Sequence, residues 1–357
     1  MKRISFIFLL QLLALVVFAQ APADYYVSAE GKNKAPLKTA LYNVIKGHTP
    51  RTYAYLWTDF QTTDKRADGK VWDMYSNCTF TFGSNQCGNY GGVCDCYNRE
   101  HSFPKSWFND ATPMYTDLFH LYPTDGYTNG RRSNYPFGEV ENVTWSGNDG
   151  CKLGSAKSDL GYTGTVFEPA DEYKGDFART YFYMVTRYDN VVASWFSNSE
   201  AKPTLNGTTY PAFTTWTQEM LLKWHRQDPV SEKETDRNNA VYGIQENRNP
   251  FIDYPELAEY IWGNKMDEAW SLSTSVNEVK SAVFSVTPNP AKTHICVSGT
   301  FSDKATYAIY NLSGIRLLAD ELIAEKDISI ETLSNGMYLL EIRSENTHSF
   351  SKFIVNK

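Results

Sequence analysis

Asn98-Arg99-Glu100-His101-Ser102-Phe103-Pro104-Lys105-Ser106-Trp107 puts a carboxylate beside an imidazole within a run of basic and aromatic residues. Two further blocks follow closely: Asp117-Leu118-Phe119-His120-Leu121-Tyr122-Pro123, then Asn129-Gly130-Arg131-Arg132-Ser133-Asn134. A neutral imidazole at His101 is a candidate general base, and Glu100 with Asn129 offers two oxygen ligands for one hard cation. Such a set suits phosphodiester hydrolysis, where a base deprotonates water and a divalent ion offsets charge on the phosphate and the departing oxygen. A neutral base also predicts a rate that falls below the imidazole pKa. Arg99, Lys105, Arg131, Arg132 and Arg179 are candidate phosphate contacts, and Asp117 and His120 are candidate supporting residues.

The rest of the chain bounds this reading. It has 357 residues, 42% hydrophobic and 15% aromatic, a composition that excludes a disordered chain and allows about two domains. With 34 Lys and Arg against 41 Asp and Glu, the net charge of -7 does not announce a nucleic-acid partner. Phosphate contacts, however, act within a Debye length of about 8 Å, so a local basic patch suffices.

Lys2 and Arg3 precede an apolar run from Ile4 to Phe18, and Val17 and Ala19 fit a cut before Gln20, so residues 1–19 read as a signal peptide. No later segment is apolar for long enough to span a bilayer, and the expected location is secreted or cell-surface. Export permits disulfides. Five of six cysteines lie between Cys78 and Cys151; Cys78 with Cys87 is the expected loop, with at least one thiol left over. The C-x-C of Cys94 and Cys96 is not a zinc-finger spacing.

Helical periodicity runs through Leu37, Ala40, Leu41, Val44 and Ile45, through Phe177, Ala178, Tyr181, Phe182 and Val185, and through Trp216, Met220, Leu221 and Trp224. A short helix is expected to bury Tyr53, Leu56, Trp57 and Phe60, and Ser231 with Glu234 reads as a capping box. Residues 83–97, rich in Gly, Asn and Cys, read as a loop. After about residue 275 short alternating runs such as 295–297, 307–310, 328–330 and 337–342 alternate with turn residues, which predicts a small β-sandwich behind a linker at 276–286.

The three blocks quoted above resemble the endonuclease I family of secreted and periplasmic bacterial nucleases, of the His-Me finger (ββα-metal) group. The similarity continues through Phe167-Glu168-Pro169, Lys174-Gly175-Asp176-Phe177-Ala178-Arg179, Trp224-His225-Arg226-Gln227-Asp228-Pro229-Val230 and Gln245-Glu246-Asn247-Arg248-Asn249-Pro250, and covers roughly Tyr25 to Asp267. The resemblance implies His101 as general base, Glu100 and Asn129 as ligands of one Mg2+ (with Ca2+ or Mn2+ as alternatives), and cleavage of DNA and often RNA with little sequence preference, leaving a 5′-phosphate. Thr287-Pro288-Asn289-Pro290, Ile309-Tyr310-Asn311-Leu312-Ser313-Gly314 and Leu333-Ser334-Asn335-Gly336-Met337-Tyr338 resemble the type IX secretion sorting domain, which implies the type IX secretion machinery as a partner.

The expected fold is therefore α+β: a mainly helical catalytic body over 24–275 around a ββα-metal finger, then a C-terminal β-sandwich at 287–357. Blander readings stand beside the sharp ones. His101 is alternatively a hydrogen-bonded core residue, Glu100 a surface partner of Arg99, and Asn129-Gly130 a plain turn. His120, read on an apolar strand, is alternatively structural, and Arg179, read off the apolar face of its helix, is alternatively a solvated cation. Competing functions are a non-catalytic surface binding protein or adhesin on the same scaffold, and a phosphodiesterase for small or lipid-derived substrates.

Overall fold

A computed structural model describes residues 21–22, 24–272, 284–299, 305–311, 316–322, 327–344 and 347–357. The expected signal peptide lies outside the described residues, as do residues 276–283 of the expected linker. The chain divides into two compact units, Met1–Ser271 and Leu272–Lys357.

In the first unit, α1 (Lys34–Ile45) buries Leu37, Ala40, Leu41 and Ile45, and α2 (Leu56–Thr63) buries Leu56 and Phe60. Then β1 (Tyr97–His101), β2 (Leu121–Asp125) and α3 (Gly126–Arg132) form a strand–strand–helix unit. The two strands pair antiparallel with Glu100 opposite Tyr122 and His101 opposite Leu121. Asp125 ends β2 and caps α3 by accepting from Thr128 N at 2.7 Å, which fixes where the helix begins.

Three antiparallel strands follow, β3 (Val140–Ser146), β4 (Lys152–Ala156) and β5 (Thr165–Glu168), in sheet order β3-β4-β5. The remaining helices are α4 (Lys174–Arg187), α5 (Thr215–Gln227), α6 (Glu232–Gln245), α7 (Pro250–Asp253) and α8 (Leu257–Ile261). The Ser231/Glu234 capping box at the start of α6 is present in both directions.

Helix α4 is buried along all fourteen of its residues. A central helix has no solvated face, so its charged side chains must find partners inside. Lys174 meets Glu168 at 2.7 Å and Arg179 meets Glu234, with Nη2 donating to Oε2 at 2.7 Å. The expectation that Arg179 lies on an outward face is corrected here, because its helix has none.

His225, on α5, belongs to the same buried cluster. Its Nε2–H donates to Pro255 O at 2.9 Å, while Nδ1 accepts from Arg179 Nη1 at 3.3 Å, an arrangement only a neutral ring permits. Burial first, then the Arg179 charge, lowers its pKa from 6.5 to about 4. The unfolded ring takes up a proton near 6.5 and the folded one only near 4, so its contribution to stability is present above 6.5 and lost as pH falls through 4. The loss amounts to about 3 kcal/mol at 1.36 kcal/mol per pKa unit. In urea titrations at neutral pH and near pH 4, His225→Gln is expected to show a correspondingly smaller acid loss than the parent; equal losses would refute this.

The cysteines pair as Cys78–Cys94 and Cys87–Cys96, not Cys78–Cys87, and Cys151 and Cys296 are free. The reason is backbone pairing: Tyr97 N donates to Asn85 O at 2.8 Å and Cys87 N to Tyr97 O at 3.2 Å, which lays residues 85–87 beside the start of β1 and sets Cys87 against Cys96.

The second unit holds a three-stranded sheet of β6 (Phe284–Thr287), β7 (His294–Gly299) and β10 (Ile328–Ser329), and a four-stranded sheet of β8 (Ala305–Asn311), β9 (Arg316–Leu322), β11 (Gly336–Ser344) and β12 (Thr347–Val355). Ile295, Val297, Ile309, Leu340, Ile342 and Phe353 share one core drawn from both sheets. Helices and sheets together make the chain α+β, as expected. Among the described residues no helix is long and apolar enough to cross a membrane.

Candidate active site

Side chains of a strand alternate between its two faces. On β1, Arg99 and His101 share one face: the Arg99 guanidinium lies 3.6 Å from the Tyr53 ring centre, and the His101 ring stacks on Tyr53 at 6.1 Å. Asn98 and Glu100 share the other face and meet α3. Asn98 Oδ1 accepts from Asn129 Nδ2 at 2.7 Å, and Glu100 Oε1 pairs with Arg132 Nη1 at 3.2 Å. An i, i+2 pair on the strand thus meets an i, i+3 pair one turn along the helix.

His101 ends the strand and is almost wholly buried. Its Nε2–H donates to Tyr115 O at 3.0 Å, and Tyr115 also stacks on the ring at 5.1 Å. A carbonyl only accepts, so the neutral ring carries its proton on Nε2 and presents the Nδ1 lone pair. Burial first, then His120, keeps its pKa well below the ordinary imidazole value.

Glu100 is 3% exposed. Oε1 accepts from Tyr75 OH at 2.9 Å as well as meeting Arg132, and the His101 backbone N–H also favours the carboxylate. Burial raises its pKa, against the pull of Arg132 and Tyr75. Asn129 spends its amide N–H on Asn98 and keeps Oδ1. Among the described residues there is no cluster of three or more His, Cys, Asp or Glu able to hold a metal.

The candidate cations divide. Lys105 is half-exposed, 3.0 Å from Asp110 and 5.5 Å from the Tyr115 ring centre. Arg131 is exposed, over Trp145 at 5.7 Å. Arg99 is half-buried between Tyr53 and Trp57, its Nη1 donating to Tyr53 O at 2.7 Å. Arg132 and Arg179 are 1% and 0% exposed. Their assignment as phosphate contacts is corrected: Arg132 Nη1 serves Glu100, His101 O and Ser133 O, while Arg179 serves Glu234 and Asp228 O.

The supporting candidates are also in the core. His120 lies in a 3-10 turn, Leu118–His120, rather than on a strand, and its ring packs 5.4 Å from that of His101. Its Nε2–H donates to Met114 O at 2.7 Å, so adjacent carbonyls of the Met114–Thr116 turn anchor both imidazoles. Asp117 ends that turn, wholly buried, and accepts from Phe119 N, Tyr183 OH, Tyr188 OH and Gln245 Nε2 at 2.8–3.0 Å. Burial pushes its pKa up, but His48, His120 and Gln245 outweigh that and hold the carboxyl below its ordinary value. Asn247 and Asn249 brace loops, bonded to Tyr183 OH and to Phe251 N.

Tyr75 and the Tyr115 carbonyl were not legible beforehand. A backbone acceptor carries no sequence signal, and Tyr75 lies 25 positions from its partner in chain order. A cavity of about 740 Å3 is lined by Asp68, Asp73, Asp149 and Glu172 among others, and by none of the candidate catalytic, metal-binding or phosphate-binding residues.

An oriented imidazole, a buried carboxylate and neighbouring cations are chemistry that can serve phosphodiester hydrolysis, and comparison with known proteins points to the nucleases. Residues 34–256 match the family model for Endonuclease I, and residues 285–356 match that for the Secretion system C-terminal sorting domain. An Extracellular ribonuclease of Bacillus subtilis (strain 168) is 36% identical over 259 residues, covering 70% of this chain and 83% of the relative. An Extracellular deoxyribonuclease of Aeromonas hydrophila is 24% identical over 243 residues, covering 66% and 84% respectively. A Periplasmic deoxyribonuclease of Aeromonas hydrophila is 26% identical over 169 residues, covering 47% and 56%. The chain belongs to the endonuclease I family and carries a C-terminal secretion sorting domain.

Proposed function

We propose that this chain is a secreted His-Me finger endonuclease that hydrolyses phosphodiester bonds of DNA and RNA with one Mg2+ ion and leaves 5′-phosphates. The observation that carries this reading is the strand–helix contact that brings Glu100 and Asn129 to one face of β1, with His101, at the end of that strand, presenting Nδ1 from the other. Carboxylate and amide oxygens suit a hard cation, and Mg2+ commonly uses one or two carboxylates and keeps several waters. Ca2+ or Mn2+ fits the same donors.

Glu100 and Asn129 would hold such an ion, which would supply positive charge to offset that building on the phosphate and the departing 3′-oxygen. His101 accepts the proton of the attacking water at Nδ1, and its ring is held by Tyr115 against rotation. Arg99, Lys105 and Arg131 hold the backbone without reading bases. Action on both sugars is supported by relatives named for ribonuclease and for deoxyribonuclease activity. The sorting domain supports export through the type IX machinery.

The test is nicking of supercoiled plasmid and cleavage of structured RNA in Mg2+, with and without chelator. Cleavage of both that stops on chelation is the expected result. Intact polymers in the presence of tight binding would instead favour the non-catalytic scaffold. Asn129→Ala is expected to raise the Mg2+ concentration for half-maximal rate by at least about tenfold, the scale seen when metal sites lose a support. Isothermal titration with Mg2+ checks this independently of turnover, and an unchanged affinity would remove Asn129 from the ligand set.

A further inference from the structure

Helix α3 carries glycine twice on one face, at Gly126 and Gly130, and the ring of Tyr90 lies over both. A side-chain carbon at 126 would come within 2.8 Å of the ring, and one at 130 would collide with its hydroxyl. The two glycines therefore form a seat for this tyrosine. The seat is held from the loop side as well: Cys87–Cys96 closes the loop that carries Tyr90, Asp95 Oδ2 accepts from Gly91 N and Gly92 N at 2.7 and 2.8 Å, and Cys96 O accepts from Gly126 N at 2.8 Å. So fixed, Tyr90 is still 37% exposed.

A row of rings continues from it. Tyr90 meets Tyr127 edge-on at 6.2 Å, Tyr127 lies 6.5 Å from Trp145 of β3, and the Arg131 guanidinium lies over that indole at 5.7 Å. Tyr127 and Trp145 are half-buried; Arg131 is exposed, and no carboxylate pairs with it among the described residues. Helix geometry sets this row beside the candidate metal ligand. At about 100° per residue, Asn129 projects on one side of the glycine seat, toward Asn98, while Tyr127 and Arg131 project on the other. Tyr90 thus lies between Asn129 and Arg131 across the helix surface.

Partly exposed rings next to an unpaired cation suit a polymer that alternates apolar faces with negative charge. Single-stranded nucleic acid is such a polymer, and because every base has a face to stack, the surface tolerates any sequence. In a duplex those faces are already covered by neighbouring pairs. We propose that Tyr90, with Tyr127 and Trp145, is a stacking platform for unpaired bases flanking a phosphate held at Asn129, and that Arg131 takes a neighbouring phosphate of the same strand. The proposal rests on the nuclease reading and names the state of its preferred substrate: unpaired strand, of DNA or RNA, without regard to sequence.

The test is binding to the full chain in chelator, read by fluorescence anisotropy, of an oligothymidine strand and of a strand of equal length whose bases are replaced by abasic tetrahydrofuran. The two carry the same phosphates, so their ratio of affinities reads stacking alone. Oligothymidine is expected to bind at least about tenfold more tightly, the scale of one stacked base. Tyr90→Leu, which keeps an apolar side chain on the glycine seat and removes the ring, is expected to lose most of that ratio, and Tyr90→Phe to retain it. Trp145→Leu, on a separate strand outside the disulfide-closed loop, is expected to lower the same ratio. Equal binding of the two strands, or a ratio that neither leucine variant changes, would overturn the platform and leave the nuclease reading standing as long as plasmid is nicked in Mg2+. A base-dependent affinity lost in Tyr90→Leu, in a chain that cleaves nothing, would support the platform and sink the nuclease reading.

Discussion

His101→Ala is expected to slow plasmid nicking by about 10²–10⁴-fold, the usual contribution of a positioned general base. The ring is held from three sides, by the Tyr115 carbonyl at Nε2, by the Tyr53 and Tyr115 rings, and by His120, so its Nδ1 points one way. Removing it leaves a cavity of imidazole shape. Added imidazole is therefore expected to restore part of the rate in His101→Ala and none in the parent, a rescue that a purely packing role does not predict. Circular dichroism of the variant separates lost chemistry from lost fold. A variant that nicks as fast as the parent would remove His101 as the base.

Arg132→Met is expected to destabilise the first unit by about 3–5 kcal/mol, because it leaves the Glu100 carboxylate buried without its ion partner. For a unit of this size that is a fall in thermal midpoint of roughly 10 °C. Arg131→Ala, one position earlier but exposed, is expected to stay within about 0.5 kcal/mol of the parent. It is instead expected to reduce the salt dependence of nucleic-acid binding by about one unit of slope, the signature of a lost phosphate contact. If Arg132→Met keeps the parental midpoint and flattens the salt slope, the guanidinium is not a fixed partner of Glu100 and reaches the phosphate after all.

These neighbouring arginines show where sequence reading stopped. Arg131 and Arg132 look alike in the chain, and only the seating of α3 on β1 turns one to solvent and the other to Glu100. Arg179 failed for a related reason. The helical period marks an apolar face correctly, but says nothing of a helix buried on every side, as α4 is. The sheet of β3 to β5 was missed because β3 is mostly exposed and β4 contains Gly154 and Ser155, so neither shows the alternation that marks a half-buried strand. Nothing in the local sequence distinguishes Cys78–Cys87 from the other pairings, and the backbone pairing at Asn85 and Cys87 decided against it.

By itself the sequence determined the residue types, their order and the local signals: His101 next to Glu100, Asn129 near a helix start, the capping box at Ser231, and the alternating strands after residue 284. All of these are short-range properties, set by neighbours within a turn or a strand. Only the tertiary structure decided which nitrogen of His101 is open, which groups partner Glu100, and which arginines face water. Each depends on a partner brought from far along the chain, such as Tyr75, Tyr115 O or Glu234, and no local pattern encodes that contact.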